Sequence, residues 1–215
     1  MSPGTPSRAL RAFECITLFI AAPTILALFL PSRLIIPAIW MLGAISLTLL
    51  LLDRTFDRRE LVRFPSRGQW KPMLLRFTVC SIALALILAL FEPHRLLELP
   101  RNRPGLWGII MVAYPVLSVL PQELAFRSLF HHRYAQLFPT ERQLIGASAL
   151  AFGFAHIIMH NAWAVAFCTV GGIIFGRTYA RTRSLPGVCI EHALYGCFIF
   201  TIGWGWYFYG GNSGR

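Results

Sequence analysis

The stretch LIIPAIWMLGAISLTLLLL, residues 34–52, has no charged side chain, and as a helix it is long enough to cross a bilayer. Similar apolar runs give candidate spans at 12–31, 74–92, 105–121 with an extension, 143–160, 162–180 and 185–209. The first run continues to Leu30, which is too long for a cleaved signal peptide, so we expect a retained helix. These segments predict an all-α fold, a polytopic transmembrane helical bundle of about seven to eight spans.

The composition supports a membrane protein and excludes several other classes. Hydrophobic residues make up 56% of the 215 residues and charged residues only 13%, against about 25% in soluble domains. The net charge is +11, but the basic residues lie in short gaps between apolar runs, whereas nucleic-acid-binding proteins gather them on one face. We therefore exclude a soluble enzyme, a disordered protein and a nucleic-acid-binding module. Membrane lipids are expected partners, with the basic loop 53–76 contacting anionic headgroups.

The basic residues also predict the orientation in the membrane. With the N-terminus inside, 15 of the 20 Lys and Arg residues lie on the inner side, and 5, including Arg33 and Arg215, lie outside. The positive-inside rule then favours an inner N-terminus, an outer C-terminus and an odd number of spans. Short loops and a compact chain favour a bacterial plasma membrane.

Ionisable residues inside apolar runs are costly in lipid, so each is a functional candidate. Glu123 and Arg127 are four positions apart and share one helix face, with the acid on the N-terminal side as such ion pairs prefer. Pro121 is expected to break or kink this helix, and irregular backbone at membrane depth is tolerated where it lines a cavity. A buried ion pair that only fastens helices together is the alternative interpretation.

Histidines occur in two further apolar runs. His156 and His160 lie at i and i+4 and could bind a metal, but no HExxH motif accompanies them, so we expect neither a metal nor another cofactor. In the last run His192 and Tyr195 share a helix face, while Glu191 points about 100° away from His192. A hydrogen-bonded core histidine is the plainer interpretation of each ring taken alone.

Three classes of intramembrane protease are disfavoured by the residues. The apolar runs contain no aspartate, which excludes an aspartyl protease, and the absence of HExxH counts against a zinc protease. Ser148 lies among small residues of the kind that serve helix packing. The Glu, Arg and His residues that remain suit hydrolysis by an activated water, with a carboxylate as base and a histidine stabilising the oxyanion.

The ordered motifs QELAFR (122–127), FGFAH (152–156) and HALYG (192–196) resemble those of the CAAX-processing and bacteriocin-processing (CPBP) family of intramembrane glutamic endopeptidases. The resemblance runs from about Tyr114 to Gly211, and the N-terminal spans share only their hydrophobicity with the family. We therefore divide the chain into N-terminal membrane spans with a basic inner loop (1–104) and a CPBP-like protease core (105–215). The resemblance implies a metal-free protease that holds a water between a glutamate and a histidine.

The resemblance also assigns roles to individual residues. Glu123 matches the second glutamate of the family motif, and Arg127 matches the arginine that fixes it. His156 matches the histidine that polarises the water, and His192 matches the histidine that stabilises the oxyanion. Possible auxiliary residues are Glu191, Tyr195 and His160.

Two residues depart from the family pattern. Gln122 stands where the catalytic glutamate is usual, and an amide can orient a water but cannot take its proton. Gly196 stands where an asparagine usually assists the oxyanion, and a glycine offers no side-chain donor. If the chain is catalytic, Glu123 or Glu191 must act as the base, and we prefer Glu123.

The sequence thus predicts an intramembrane endopeptidase that cleaves a membrane-associated or C-terminal CAAX-like substrate, with hydrophobic or lipidated proteins as partners. The departures at Gln122 and Gly196 keep a second hypothesis open, a non-catalytic scaffold or chaperone of the same family. A third hypothesis is a small proton-coupled transporter subunit that uses Glu123 and Glu191 as proton sites. It is disfavoured because the sequence shows no pair of broken helices and no inverted repeat.

Overall fold

A computed structural model describes residues 7–208, and every regular element in this range is helical. Within it, seven helices are long and apolar enough to cross a membrane, which confirms the predicted all-α polytopic bundle. They are α1 (Arg8–Phe29), α2 (Ser32–Leu52), α3 (Arg67–Phe91), α4 (Pro104–Arg133), α5 (Glu141–Met159), α6 (Ala162–Thr182) and α7 (Leu185–Ile202). Gly211, at the end of the family resemblance, and Arg215, counted in the orientation, lie outside the described residues.

Helix α3 begins well before the span predicted at 74–92. Ser66 and Gln69 form a capping box at its N-terminus, in which the Ser66 N–H donates to Gln69 Oε1 at 2.8 Å. This box satisfies backbone donors that the first helical turn leaves unpaired, so the helix starts at Arg67. The loop is therefore 53–66, and Arg76 belongs to the helix rather than to the loop where the sequence analysis placed it.

Helix α4 continues through Pro115 and Pro121 for 30 residues. Two wide π-helical segments, Pro115–Val119 and Leu124–Leu129, flank α-helical Leu120–Glu123. The helix does not break at Pro121, because a widened turn relieves the clash between a proline ring and the carbonyl four residues before it. The whole QELAFR motif consequently lies on one continuous helix.

Helices α5 and α6 pack backbone against backbone through small residues. A Cβ built on Gly172 would lie 2.8 Å from Ala149 Cα, and one on Gly153 would lie 1.9 Å from Thr169 Oγ1. Without side chains at these glycines, the two helices approach more closely than larger residues allow. The contact fixes how Phe152 on α5 faces α6, and this ring borders the candidate site described below.

The end of the bundle that carries the 53–66 loop, here called the loop end, is tied together by polar contacts. Tyr179 on α6 donates its hydroxyl proton to Glu60 Oε2 at 2.6 Å. His132 on α4 lies 3.0 Å from Asp53, measured from Nε2 to Oδ2. Burial raises the pKa of Asp53, but hydrogen bonds from Thr55 and His132 outweigh it and lower the pKa to about 2. The basic loop is therefore folded against α4 and α6.

Candidate active site

A chain of three ionisable side chains lies inside the bundle. Glu123 Oε1 is 2.8 Å from His192 Nδ1, and Glu123 Oε2 is 3.2 Å from Arg127 Nε. Glu123 and Arg127 are fully buried, and His192 is 6% exposed. The predicted i, i+4 pair thus forms on α4, and it meets the predicted oxyanion histidine on α7.

The guanidinium of Arg127 is also held through its Nη1 and by an aromatic ring of α5. Its Nη1 donates to Ser148 Oγ and to the Phe126 carbonyl, both at 3.1 Å. The ring centroid of Phe152 lies 4.9 Å from the guanidinium carbon, within cation–π range. Ser148 also donates to the Phe126 carbonyl at 2.6 Å, so its hydroxyl serves this network and not as a nucleophile.

The imidazole of His192 is fixed in place by neighbours on several elements. Phe175 stacks on it with ring centroids 4.6 Å apart, and Phe152 meets it edge to face at 5.5 Å. Its Nε2 lies 3.0 Å from the hydroxyl of Tyr114 on α4. Because a carboxylate accepts hydrogen bonds, Nδ1 carries the proton that faces Glu123, and Nε2 of the neutral ring accepts from Tyr114.

His156 lies where α5 tightens from an α-helix into a 3₁₀ turn, His156–Met159. Its Nδ1 is 2.7 Å from the Phe152 carbonyl. A carbonyl oxygen can only accept, so Nδ1 donates and Nε2 of the neutral ring keeps its lone pair. His160 ends the turn in the left-handed region, at φ 52°, with an exposed side chain. The i, i+4 spacing of the two histidines suggested a shared α-helical face. The 3₁₀ turn shows that they do not share one.

Gln122 is also buried, and its amide is only partly paired. Its Nε2 donates to Ser118 Oγ at 2.8 Å, one helical turn back on α4. Its Oε1 has no hydrogen-bond partner among residues 7–208. A buried acceptor without a donor is costly, so this oxygen is suited to a small polar partner from the adjoining cavity.

A cavity of about 1060 Å³ brings these groups together. Tyr114, Gln122, His156 and His192 line it, and its other walls are almost entirely apolar. Glu123 and Arg127 are absent from its lining and stand behind His192. The cavity extends away from the loop end, toward the residues Leu30, Arg33, Leu106, Met159 and Phe208.

Of the two predicted auxiliary residues on α7, Glu191 does not line the cavity and Tyr195 does. Glu191 forms an ion pair with Arg76 of α3, whose Nη2 also donates to Thr178 Oγ1 at 2.7 Å. Tyr195 lines the cavity and packs its ring against Phe77, with centroids 5.2 Å apart. Glu191 thus connects α3 to α7, and the structure does not bring it to Gln122 or His156.

Comparison with known proteins finds one family match for the part of the chain that carries these groups. Residues 104–198 match the family model described as Rce1-like, type II CAAX prenyl endopeptidase Rce1-like. This segment is similar to the Rce1-like family. The match confirms the family resemblance drawn from the motifs, and the matched segment contains Tyr114, Gln122, Glu123, Arg127, His156 and His192. No curated protein and no solved structure matches the chain.

Sequence reasoning missed two side chains of the Rce1-like segment that shape the site. Tyr114 bonds to His192 across 78 positions of sequence, and Ser118 holds the amide of Gln122. Neither belongs to a charged or histidine-containing motif, so nothing local marked them. The available signal for Tyr114 was indirect, since Gly196 left room beside His192 that another residue had to fill.

Proposed function

We propose that this protein is an intramembrane endopeptidase that hydrolyses a peptide bond of a membrane-associated substrate with an activated water. The observation that carries the proposal is the group of polar side chains in the lining of an otherwise apolar cavity. Gln122 Oε1 lacks a donor, His156 has Nε2 free to accept, and His192 is backed by a buried carboxylate. Ionisable and polar groups at membrane depth mark functional sites, and this set supplies a base, a water-binding acceptor and a charge-stabilising histidine.

His156 is better placed than Glu123 to act as the base. Both carboxylate oxygens of Glu123 face partners, His192 and Arg127, and the side chain does not line the cavity. His156 lines the cavity, and its bond to the Phe152 carbonyl leaves the basic nitrogen unprotonated in the neutral ring. The geometry therefore favours Glu123 as a residue that acts through His192, which differs from the direct role that the sequence analysis preferred.

The reaction then proceeds by a water that donates one proton toward Gln122 Oε1 and the other toward His156 Nε2. The water oxygen bonds to the substrate carbonyl carbon, its proton passes to His156, and the carbonyl π electrons move onto the oxygen. When the tetrahedral intermediate collapses, the C–N bond breaks and the leaving amine takes the proton from His156. Water and peptide are consumed, and a carboxyl and an amine product form.

His192 and Glu123 stabilise the negative charge that develops in this step. The carboxylate holds the imidazole in one orientation and stabilises a positive charge on it, as the buried acid does in a catalytic triad. For this role His192 takes a second proton from solvent onto Nε2 before the water attacks and keeps it through the step. The resulting imidazolium donates Nε2–H to the oxyanion, while Arg127 balances the charge of Glu123.

The cavity indicates the kind of substrate and the side from which it enters. Its apolar walls fit a hydrophobic or lipidated segment, consistent with the predicted partners. With the N-terminus inside, the loop end lies inside and the cavity opens toward the outer side. We therefore favour a membrane-associated segment that has crossed the bilayer over a CAAX-like terminus on the inner side, and we retain the bacterial plasma membrane as the proposed location.

The test compares new peptide termini in the membrane proteome of cells that carry wild type, His156→Gln or His94→Gln at equal expression. His94 is exposed and outside the cavity, so it is the matched control. We expect specific termini with wild type and His94→Gln and none with His156→Gln. Identical profiles in all three would contradict the proposal, and the position of each terminus shows whether the cleaved segment faces in or out.

A non-catalytic scaffold that binds hydrophobic segments is the second candidate, because Gln122 replaces the usual acid beside a large apolar cavity. In that case wild type retains a bound hydrophobic protein through purification but yields no new termini. A proton-coupled transporter has less support, since Glu123 and Glu191 each face an arginine.

A further inference from the structure

The ring of Tyr114 occupies the space beside Gly196 where a side chain on α7 would otherwise stand. A Cβ built on Gly196 would lie 2.2 Å from Tyr114 Cε1 and 2.4 Å from its hydroxyl oxygen. The third contact is with Tyr114 Cζ at 2.5 Å, so a Cβ at residue 196 would overlap the hydroxyl-bearing edge of a rigid ring. The glycine and the tyrosine therefore form a matched pair, in which the absence of one side chain admits the other.

The hydroxyl of Tyr114 also makes a specific polar contact. It lies 3.0 Å from His192 Nε2, and the ring packs edge to face on Phe200 with centroids 5.5 Å apart. Tyr114 and His192 both line the cavity in which a substrate would lie. A phenylalanine would fill the same volume, and packing alone does not explain the hydroxyl.

We infer that Tyr114 is a catalytic residue whose O–H donates to the oxyanion beside His192, in place of a side chain at position 196. The inference rests on the proposed endopeptidase function. Once Nε2 of His192 is protonated, it and the Tyr114 hydroxyl are two donors 3.0 Å apart. Both can reach one oxygen at hydrogen-bond distance, which is the geometry of an oxyanion hole. As charge develops on the substrate oxygen, the hydroxyl turns from His192 to that oxygen, and the phenol supplies the donor that Gly196 lacks.

The first experiment measures Tyr114→Phe in cells, using the rate at which the wild-type-specific membrane-protein termini form. Loss of one oxyanion donor is expected to slow cleavage by about 10²–10³-fold. A synthetic peptide spanning the most abundant terminus then separates kcat from KM, and we expect the loss in kcat with KM nearly unchanged. Thermal unfolding in detergent confirms that the variant is folded, since the ring remains in place.

The second experiment transfers the donor from α4 to α7. Tyr114→Ala removes the ring that blocks residue 196, so Gly196→Asn in the same chain can place an amide N–H near His192. We expect Y114A/G196N to cleave at least tenfold faster than Y114A/G196A, its matched control, which has a methyl group and no donor. If Tyr114 acted only by packing, a hydrogen-bond donor on another helix would not restore the rate of cleavage.

The outcomes separate this inference from the function on which it rests. The role of Tyr114 is overturned if Tyr114→Phe cleaves at the wild-type rate. It is also overturned if Y114A/G196N cleaves no faster than Y114A/G196A. Either result leaves the endopeptidase function unaffected. If wild type and His192→Ala give the same termini, both the endopeptidase and its oxyanion donor are refuted.

Discussion

At the scale of single residues, Gln122 decides how well the site can take a proton from water. We predict that Gln122→Glu speeds cleavage at least tenfold, because a carboxylate in the same cavity as His156 provides a second base where the amide provides none. The new side chain fits the same space and can accept from Ser118 Oγ, which now receives the amide proton. The measurement is the rate of formation of the wild-type-specific termini.

Gln136→Glu is the matched control for that change. Gln136 is exposed at the loop end, so the same substitution there adds the same charge without touching the cavity. A Gln122→Glu rate at or below wild type would mean that the base is not limiting, or that the water does not lie against residue 122. Termini that appear only with Gln122→Glu would instead mark wild type as the non-catalytic scaffold.

Glu123 is predicted to matter for stability as well as for chemistry. Glu123→Ala leaves Arg127 charged, fully buried and without its carboxylate, and breaking a buried pair in this way costs about 3–5 kcal/mol. We therefore expect a large drop in the midpoint of denaturant unfolding in mixed micelles. The exposed Glu141→Ala should lower stability by no more than about 1 kcal/mol. Equal midpoints for the two variants would show that Arg127 finds other compensation.

The sequence identified the ionisable residues of the site but not the way in which their side chains are oriented. Ionisable groups in apolar runs stand out by their cost, and this identified Glu123, Arg127, His156 and His192 correctly as residues of one region. The sequence could not show that Glu123 turns its second oxygen to Arg127 and away from the cavity. That outcome depends on three helices that converge only in the folded bundle.

At the scale of elements, hydrophobicity located the helices but not their ends. A capping box extends α3 back to Arg67, and π turns carry α4 past Pro121. Both effects depend on hydrogen bonds of the backbone. Hydrophobicity averaged along the sequence does not detect them. The error over α3 had a consequence for the site, because it placed Arg76 in a loop and hid the partner of Glu191.

The contact between α5 and α6 makes an element-scale prediction. Gly172→Ala places a Cβ 2.8 Å from the Ala149 Cα, and backbone cannot yield as a side-chain end does. We expect a loss of about 1–3 kcal/mol in unfolding free energy and slower cleavage, since Phe152 and Phe175 hold His192 from these two helices.

Gly146→Ala is the control for that change, because a Cβ there meets no atom within 4 Å. It should leave stability unchanged or raise it by up to about 1 kcal/mol through helix propensity. If both glycine variants unfold at the same denaturant concentration, the close approach of α5 and α6 is not what positions the rings.

At the scale of the whole molecule, the bundle is asymmetric along its long axis. The loop end is filled with buried side chains such as Phe130, Tyr134 and Tyr179, whereas the cavity occupies the opposite half. Most of the basic residues also lie at the loop end. Dense packing and positive charge thus lie at the same end of the bundle. The positive-inside rule places that end on the inner side, so we expect substrate to enter the cavity from the outer side.

The chain offers a direct test of this orientation, because Lys71 is its single lysine and lies exposed near the loop end. A membrane-impermeant amine reagent applied to right-side-out vesicles should leave Lys71 unmodified and modify it after permeabilisation, as read by mass spectrometry. Arg33→Lys places a lysine at the cavity rim and should be modified without permeabilisation. Labelling of Lys71 in intact vesicles would show that the orientation is the opposite one, with the cavity mouth on the inner side. A CAAX-like terminus on that side would then be the favoured substrate.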